Sequence, residues 1–124
     1  MKTILVVEDN GFNMYLISYI LKENGYNVLQ AYGGEEGVRI ALKEEIDLII
    51  MDIRLPDLDG YEATKRIRAS KVDCNVPIIA LTSYAMDGDE EKARRVGFTG
   101  YLTKPIDPAT FLQEIKKHLY VEAV

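Results

Sequence analysis

The most constraining feature of this chain is an alternation. Short apolar runs recur five times along the sequence, and each is followed by a longer segment with helical periodicity. Ile4-Leu5-Val6-Val7 reads as a first strand, Val28 to Ala31 as a second, and Leu48-Ile49-Ile50-Met51 as a third. Ile78-Ile79-Ala80-Leu81, introduced by Pro77, reads as a fourth, and Tyr101-Leu102 as a short fifth. Helical patterns fill residues 11–24, 34–45, 60–70, 85–96 and 108–120. Punctuation agrees with these bounds. Gly25 and Gly97 stop helices, Asp59 with Glu62 has the spacing of a capping box, and Asp107-Pro108 has the N-cap and N1 residues of the last helix. Five such βα units predict an α/β fold with a parallel sheet covered by helices on both faces.

Strand order follows in part from composition. Strands one, three and four are continuously apolar, as strands covered on both faces are; strands two and five are mixed, as edges are. The order 2-1-3-4-5 fits, which makes the expected fold class flavodoxin-like: doubly wound (βα)5 with a five-stranded parallel sheet. Right-handed crossovers then put the topological switch point between strands one and three, and ligands in such sheets bind at the carboxyl ends of the strands near that point.

Chemistry-bearing residues occupy those ends. Strand one runs into Glu8-Asp9, strand three into Asp52, strand four into Thr82-Ser83 and strand five into Thr103-Lys104-Pro105. Each has a plainer reading singly: a helix cap, a turn residue, a loop. Together they deliver three carboxylates, hydroxyls and an ammonium to one crevice. Carboxylates about 5 Å apart repel by roughly 3 kcal/mol per pair at an effective dielectric near 20, so the cluster calls for a cation. Oxygen-only ligands select Mg²⁺, Mn²⁺ or Ca²⁺, and an open site with few carboxylates suits Mg²⁺, with Mn²⁺ a possible substitute. A cation and a lysine facing one aspartate suit a phosphoryl group, and an aspartate can itself be the nucleophile.

Bulk properties narrow the alternatives. A chain of 124 residues fits one domain spanning 1–124, with no output domain expected. The net charge of −5 argues against nucleic-acid binding. The single cysteine, Cys74, rules out an intrachain disulfide, and with no secretory or membrane-spanning segment the expected location is cytoplasmic. A flavin carrier would want a phosphate-binding hydroxyl loop where Glu8 and Asp9 stand. A dehalogenase-type phosphatase would want Asp-x-Asp, and Asp52-Ile53-Arg54 lacks the second acid. The glycines of Gly33-Gly34-Glu35-Glu36-Gly37 have the wrong spacing for a nucleotide fingerprint. His118, the only histidine, is expected on the surface of the last helix.

Val-Val-Glu-Asp-Asn at 6–10, Met-Asp-Ile-Arg-Leu-Pro at 51–56, Asp-Gly at 59–60, Leu-Thr-Ser at 81–83 and Tyr-Leu-Thr-Lys-Pro at 101–105 resemble a response-regulator receiver domain over essentially the whole chain. The resemblance implies a signalling switch rather than an enzyme, one that takes a phosphoryl group on Asp52 from a phosphohistidine in a Mg²⁺-dependent reaction. It implies that Asp9 holds the metal directly, Glu8 through water, and Arg54 by its backbone carbonyl. It gives Thr82 and Tyr101 the switch roles, gives Lys104 the phosphoryl contact, and implies a cis peptide before Pro105. Glu-Asp-Asn followed by Asn13 is similar to stand-alone regulators of the DivK type and to receivers of hybrid histidine kinases.

Partners are expected to be a sensor histidine kinase or a histidine phosphotransfer protein. The first helix is apolar nearly all round, so a face including Met14, Tyr15 and Ser18 is expected to dock that partner's helical bundle. Tyr84 is placed with the docking residues, and the resemblance puts the downstream target on the helix 4–strand 5–helix 5 face.

Overall fold

The computed structural model describes residues 1–70, 75–83 and 89–120. Cys74, Tyr84 and Asp87, with the predicted start of the fourth helix at 85–88, lie outside the described residues. The elements alternate as the apolar runs require: β1 (Thr3–Val7), α1 (Gly11–Glu23), β2 (Asn27–Ala31), α2 (Gly34–Lys43), β3 (Leu48–Asp52), α3 (Gly60–Ser70), β4 (Ile78–Thr82), α4 (Asp89–Val96), β5 (Gly100–Thr103) and α5 (Pro108–Leu119). The sheet is parallel throughout, in the order β2-β1-β3-β4-β5. β3 and β4 are buried at every residue, whereas β2 and β5 carry exposed positions at the edges.

Alternation along the strands sorts the core into two layers. Leu5, Val7, Ile49, Met51, Ile78 and Ala80 face α2, α3 and α4, which supply Val38, Ala41, Ala63, Ile67 and Ala93. Ile4, Val6, Leu48, Ile50, Ile79 and Leu81 face α1 and α5, which supply Met14, Ile17, Leu21, Phe111 and Ile115. Burying a side chain of this size contributes about 1.5–3 kcal/mol, so each layer holds its helices firmly on the sheet.

Caps set where the helices begin. Asn10 Oδ1 accepts the Asn13 amide, Asp59 Oδ1 accepts the Glu62 amide, and Asp107 Oδ2 accepts the Thr110 amide. Asn10 therefore does the capping work at α1 and leaves Glu8 and Asp9 for other chemistry. Gly25 and Gly97, at φ +86° and +117°, end the first and fourth helices in the left-handed region that favours glycine.

Two expectations about α1 are corrected. Met14 is 1% exposed and belongs to the core under α1; Ser18 is 4% exposed, and its Oγ accepts a 2.9 Å hydrogen bond from Gln30 Nε2 on β2. Neither offers a docking surface. The outward stripe is Phe12, Tyr15 and Tyr19, at 74, 70 and 54% exposure, with the two tyrosine rings stacked 6.3 Å apart. His118 also differs from expectation. It is half-buried against Gly100 of β5, with Nε2 3.1 Å from Glu114 Oε1.

Candidate functional site

β1 and β3 are hydrogen-bonded neighbours, with Val7 beside Met51, so the residues just past them emerge side by side. Asp52 is the last residue of β3, 3% exposed. Its Oδ1 accepts the Arg54 amide at 3.0 Å, and its Oδ2 lies 3.1 Å from Lys104 Nζ. Glu8 is fully buried, its Oε2 accepting the Asn10 amide at 3.2 Å. Glu8 Oε1 stands 2.7 Å from Lys104 Nζ, a close charge contact. Asp9 is exposed at the mouth of the crevice. Glu8, Asp9 and Asp52 each offer a carboxylate oxygen, all within 4.8 Å of one another.

The sheet brings the other strand ends to the same level. Asp52 pairs with Leu81 in register and Thr82 with Thr103, one residue before Lys104. The Lys104 amide donates to the Thr82 carbonyl at 2.7 Å, and the Lys104–Pro105 peptide is cis. Lys104 faces more than one acid: its ammonium sits between Glu8 and Asp52 and touches both. Thr82 is buried to 3% and lines, with Asp9, Arg54, Tyr61 and Lys92, a cavity of about 680 Å³ beside the acids.

Electrostatics follow from this crowding. Burial first, and the Asp52 carboxyl second, push Glu8 above the ordinary glutamate range against the pull of Lys104. Asp9 is raised too, by partial desolvation and then by Glu8. Burial disfavours the Lys104 ammonium, but its two carboxylate partners outweigh that and hold its pKa above that of a free lysine. Three carboxylates share one lysine, so negative charge remains in excess. An all-oxygen donor set of three crowded carboxylates, with Glu8 and Asp9 raised in pKa by burial and then by a neighbouring acid, fits a hard divalent cation.

Residues 4–116 match the family profile described as response regulator receiver domain. The chain belongs to that family. The polar-differentiation response regulator DivK of Brucella ovis is 38% identical over 118 residues, 95% of this chain and 96% of DivK. The receiver domain of the Pseudomonas aeruginosa sensor histidine kinase PA1611, solved with a magnesium ion in its active-site cleft, is 42% identical; the match covers 95% of this receiver and 97% of that one, with a TM-score of 0.87. The receiver domain of Saccharomyces cerevisiae Ssk1, solved with the histidine phosphotransfer protein Ypd1, is 31% identical across 95% and 88% of the two chains, with a TM-score of 0.87. Receivers are signalling switches of two-component systems: they accept a phosphoryl group on an aspartate, and histidine kinases or phosphotransfer proteins are their partners. No helix among the described residues of this receiver is long and apolar enough to cross a membrane.

Sequence reasoning overlooked Asp57, whose carboxylate binds the first two amides of α2, and Tyr61, which meets Phe98 edge-on at 6.0 Å beneath the Lys92 ammonium, 4.5 Å from its ring. Asp57 reads as a plain turn residue in Leu-Pro-Asp-Leu-Asp-Gly, and only the fold brings it to α2.

Proposed function

We propose that Asp52 is the phosphoacceptor of this receiver and that Glu8, Asp9, Asp52 and the Arg54 carbonyl form its Mg²⁺ site. The observation that supports this reading is the three-carboxylate cluster with Lys104 seated on two of its members. Asp9, Asp52 and the Arg54 carbonyl would hold the ion, with Glu8, the deepest acid, acting through water. Mn²⁺ satisfies the same donors. When bound, the metal neutralises charge on the transferring phosphoryl oxygens.

An Asp52 Oδ atom attacks the phosphorus of a phosphohistidine. The P–N bond breaks, its electron pair returns to the imidazole nitrogen, and an acyl phosphate forms. Lys104 Nζ, already 3.1 Å from Asp52 Oδ2, then meets a phosphoryl oxygen as a fixed charge. The Thr82 hydroxyl, on the adjacent strand end, takes another phosphoryl oxygen, and Tyr101 reports that movement on the α4–β5–α5 face, where a downstream protein binds. Arg54 is exposed beside the site. Its bulk hinders in-line water and lengthens the phosphoryl lifetime beyond that of fast chemotaxis switches. The donor docks on the Phe12–Tyr15–Tyr19 stripe of α1, beside the mouth where Asp9 lies. Tyr84 keeps its assignment to partner docking from sequence alone.

Incubation with Mg²⁺ and acetyl phosphate, followed by intact-mass measurement, should show one added phosphoryl group in the parent chain and none in Asp52→Ala. An equal gain in the variant would overturn the assignment. Tyr15→Asp should slow transfer from a phosphotransfer protein while leaving acetyl phosphate uptake unchanged; equal slowing of both would remove α1 as the docking face.

A further inference from the structure

We infer that Asp57 is a positioning residue for the metal site, fastening the loop that carries the Arg54 carbonyl to the first turn of α2. The inference rests on the receiver reading above and adds a residue that the motif does not assign.

α2 begins without a cap of its own. Its N-cap is Gly33, which has no side chain to accept the first amides. The acceptor comes instead from the β3–α3 loop. Asp57 Oδ1 accepts the Gly34 amide at 2.9 Å and Oδ2 accepts the Glu35 amide at 3.0 Å, so both oxygens are committed. Those amides hold the Asp57 carboxyl below the ordinary aspartate range. The contact is close enough to dictate sequence on the α2 side. A Cβ on Gly34 would collide with the Leu58 carbonyl oxygen, and one on Gly33 would lie 3.0 Å from each Asp57 oxygen. The paired glycines that fail as a nucleotide fingerprint are the floor on which the loop rests.

At its other end the same loop is tied to the acids. The Arg54 amide donates to Asp52 Oδ1, and the Gly60 amide donates to the Ile53 carbonyl at 2.8 Å. Arg54 therefore lies between two fixed points, one at Asp52 and one at α2. A backbone carbonyl has no rotamer to adjust: where it points is set wholly by the loop. Releasing Asp57 removes the anchor at α2 and leaves the ties at Asp52 and Ile53. The plainer alternative is that Asp57 caps α2 and does nothing for the metal. The two differ in what they move, because a cap alone changes stability and not Mg²⁺ affinity.

The test is calorimetric titration of the whole chain with Mg²⁺, alongside the metal-free Tm. Asp57→Ala should weaken Mg²⁺ about tenfold, the lower end for residues that orient metal ligands. The Mg²⁺ concentration giving half-maximal phosphoryl uptake from acetyl phosphate should rise in parallel, while the rate at saturating Mg²⁺ is kept. Asp57→Asn, whose carboxamide oxygen can accept one amide, should recover part of the affinity, and it carries the test if the alanine variant does not fold. Arg66→Ala breaks a different α2–α3 tie, the exposed Arg66–Glu35 pair at 3.2 Å, and should leave the Mg²⁺ affinity unchanged. A fall in Tm with parental Mg²⁺ affinity in both Asp57 variants would overturn the inference. A parent chain that neither binds Mg²⁺ nor gains a phosphoryl group would overturn the site assignment itself, a separate failure.

Discussion

The carboxyl edge of the sheet has two halves that are built differently. On the β1–β3 half, charge is crowded and tied down: Glu8 and Asp52 share Lys104, and loop amides of Asn10 and Arg54 hold the same carboxylates. On the β4–β5 half, the side chains assigned to the switch are neutral, and one of them is poorly satisfied. The Tyr101 hydroxyl is buried and has no hydrogen-bond partner among the described residues, and burial, then Asp89, push its phenol above the ordinary range. The first half stores electrostatic tension that a cation relieves. On the proposed switch reading, the second half holds a group that would gain by moving. A switch needs both, an input that changes charge and an output that is not already at its optimum.

The largest effect should come from Lys104→Met. It removes the one ammonium between two carboxylates that are 0 and 3% exposed. Breaking a buried pair costs about 3–5 kcal/mol, but Glu8 is already displaced upward and can take a proton, so roughly 2–3 kcal/mol is expected at neutral pH. Thermal melts in metal-free buffer check this, and the loss should shrink in acid, where the carboxylates are neutral. Phosphoryl uptake should be lost. A parental Tm at pH 7 would mean that Lys104 is not what compensates the acids.

Asp9→Asn should act in the opposite direction and more weakly. The folded pKa values of Asp9 and Glu8 are raised, so the stability linked to them is complete below the ordinary carboxyl range and is lost as pH rises through the raised values. Neutralising Asp9 should therefore stabilise the metal-free protein at pH 7, seen as a higher Tm, by only roughly 0.5 kcal/mol because the group is exposed and screened, and the gain should vanish in acid. Mg²⁺, which binds the folded chain, should raise the parent's Tm and leave that of Asp9→Asn nearly unchanged. A variant less stable than the parent in metal-free buffer at pH 7 would show that the acids are not in mutual repulsion.

Much of this was legible in the sequence because strands announce themselves at short range. The five apolar runs are the five strands, the mixed ones are the edges, and Glu8, Asp9, Asp52 and Lys104 stand at strand ends where a parallel sheet must gather them. What stayed hidden depends on contacts between distant segments. A helix as apolar as α1 does not say which stripe faces in. Met14, Ile17, Ser18 and Leu21 face inward because β2 and the sheet lie under them, and Ser18 is tolerated there because Gln30 meets its hydroxyl. Asp57 caps a helix 22 and 23 residues upstream, beyond any local pattern. The seat of Lys104 between Glu8 and Asp52 follows from three strands meeting, so sequence gave its charge but not its contact.

The most conservative substitution separates the two halves most directly. Tyr101→Phe deletes only a hydroxyl and leaves every charge at the acid cluster in place. A buried polar group without a partner costs about 1–3 kcal/mol, so removing this one should leave the fold as stable or raise it by roughly 1 kcal/mol. The ring stays packed against the α3–α4 layer, and Lys104, Asp52, Glu8 and Asp9 are untouched, so acetyl phosphate should still load the variant at the parent's rate. What should change is the difference in partner affinity between phosphorylated and unphosphorylated protein, because the hydroxyl no longer has anything to gain by moving. Melts, loading rates and binding to a downstream target in both states check the three points. A Tm drop approaching that of Lys104→Met would show that the hydroxyl is a structural contact, and the two halves would then be built alike.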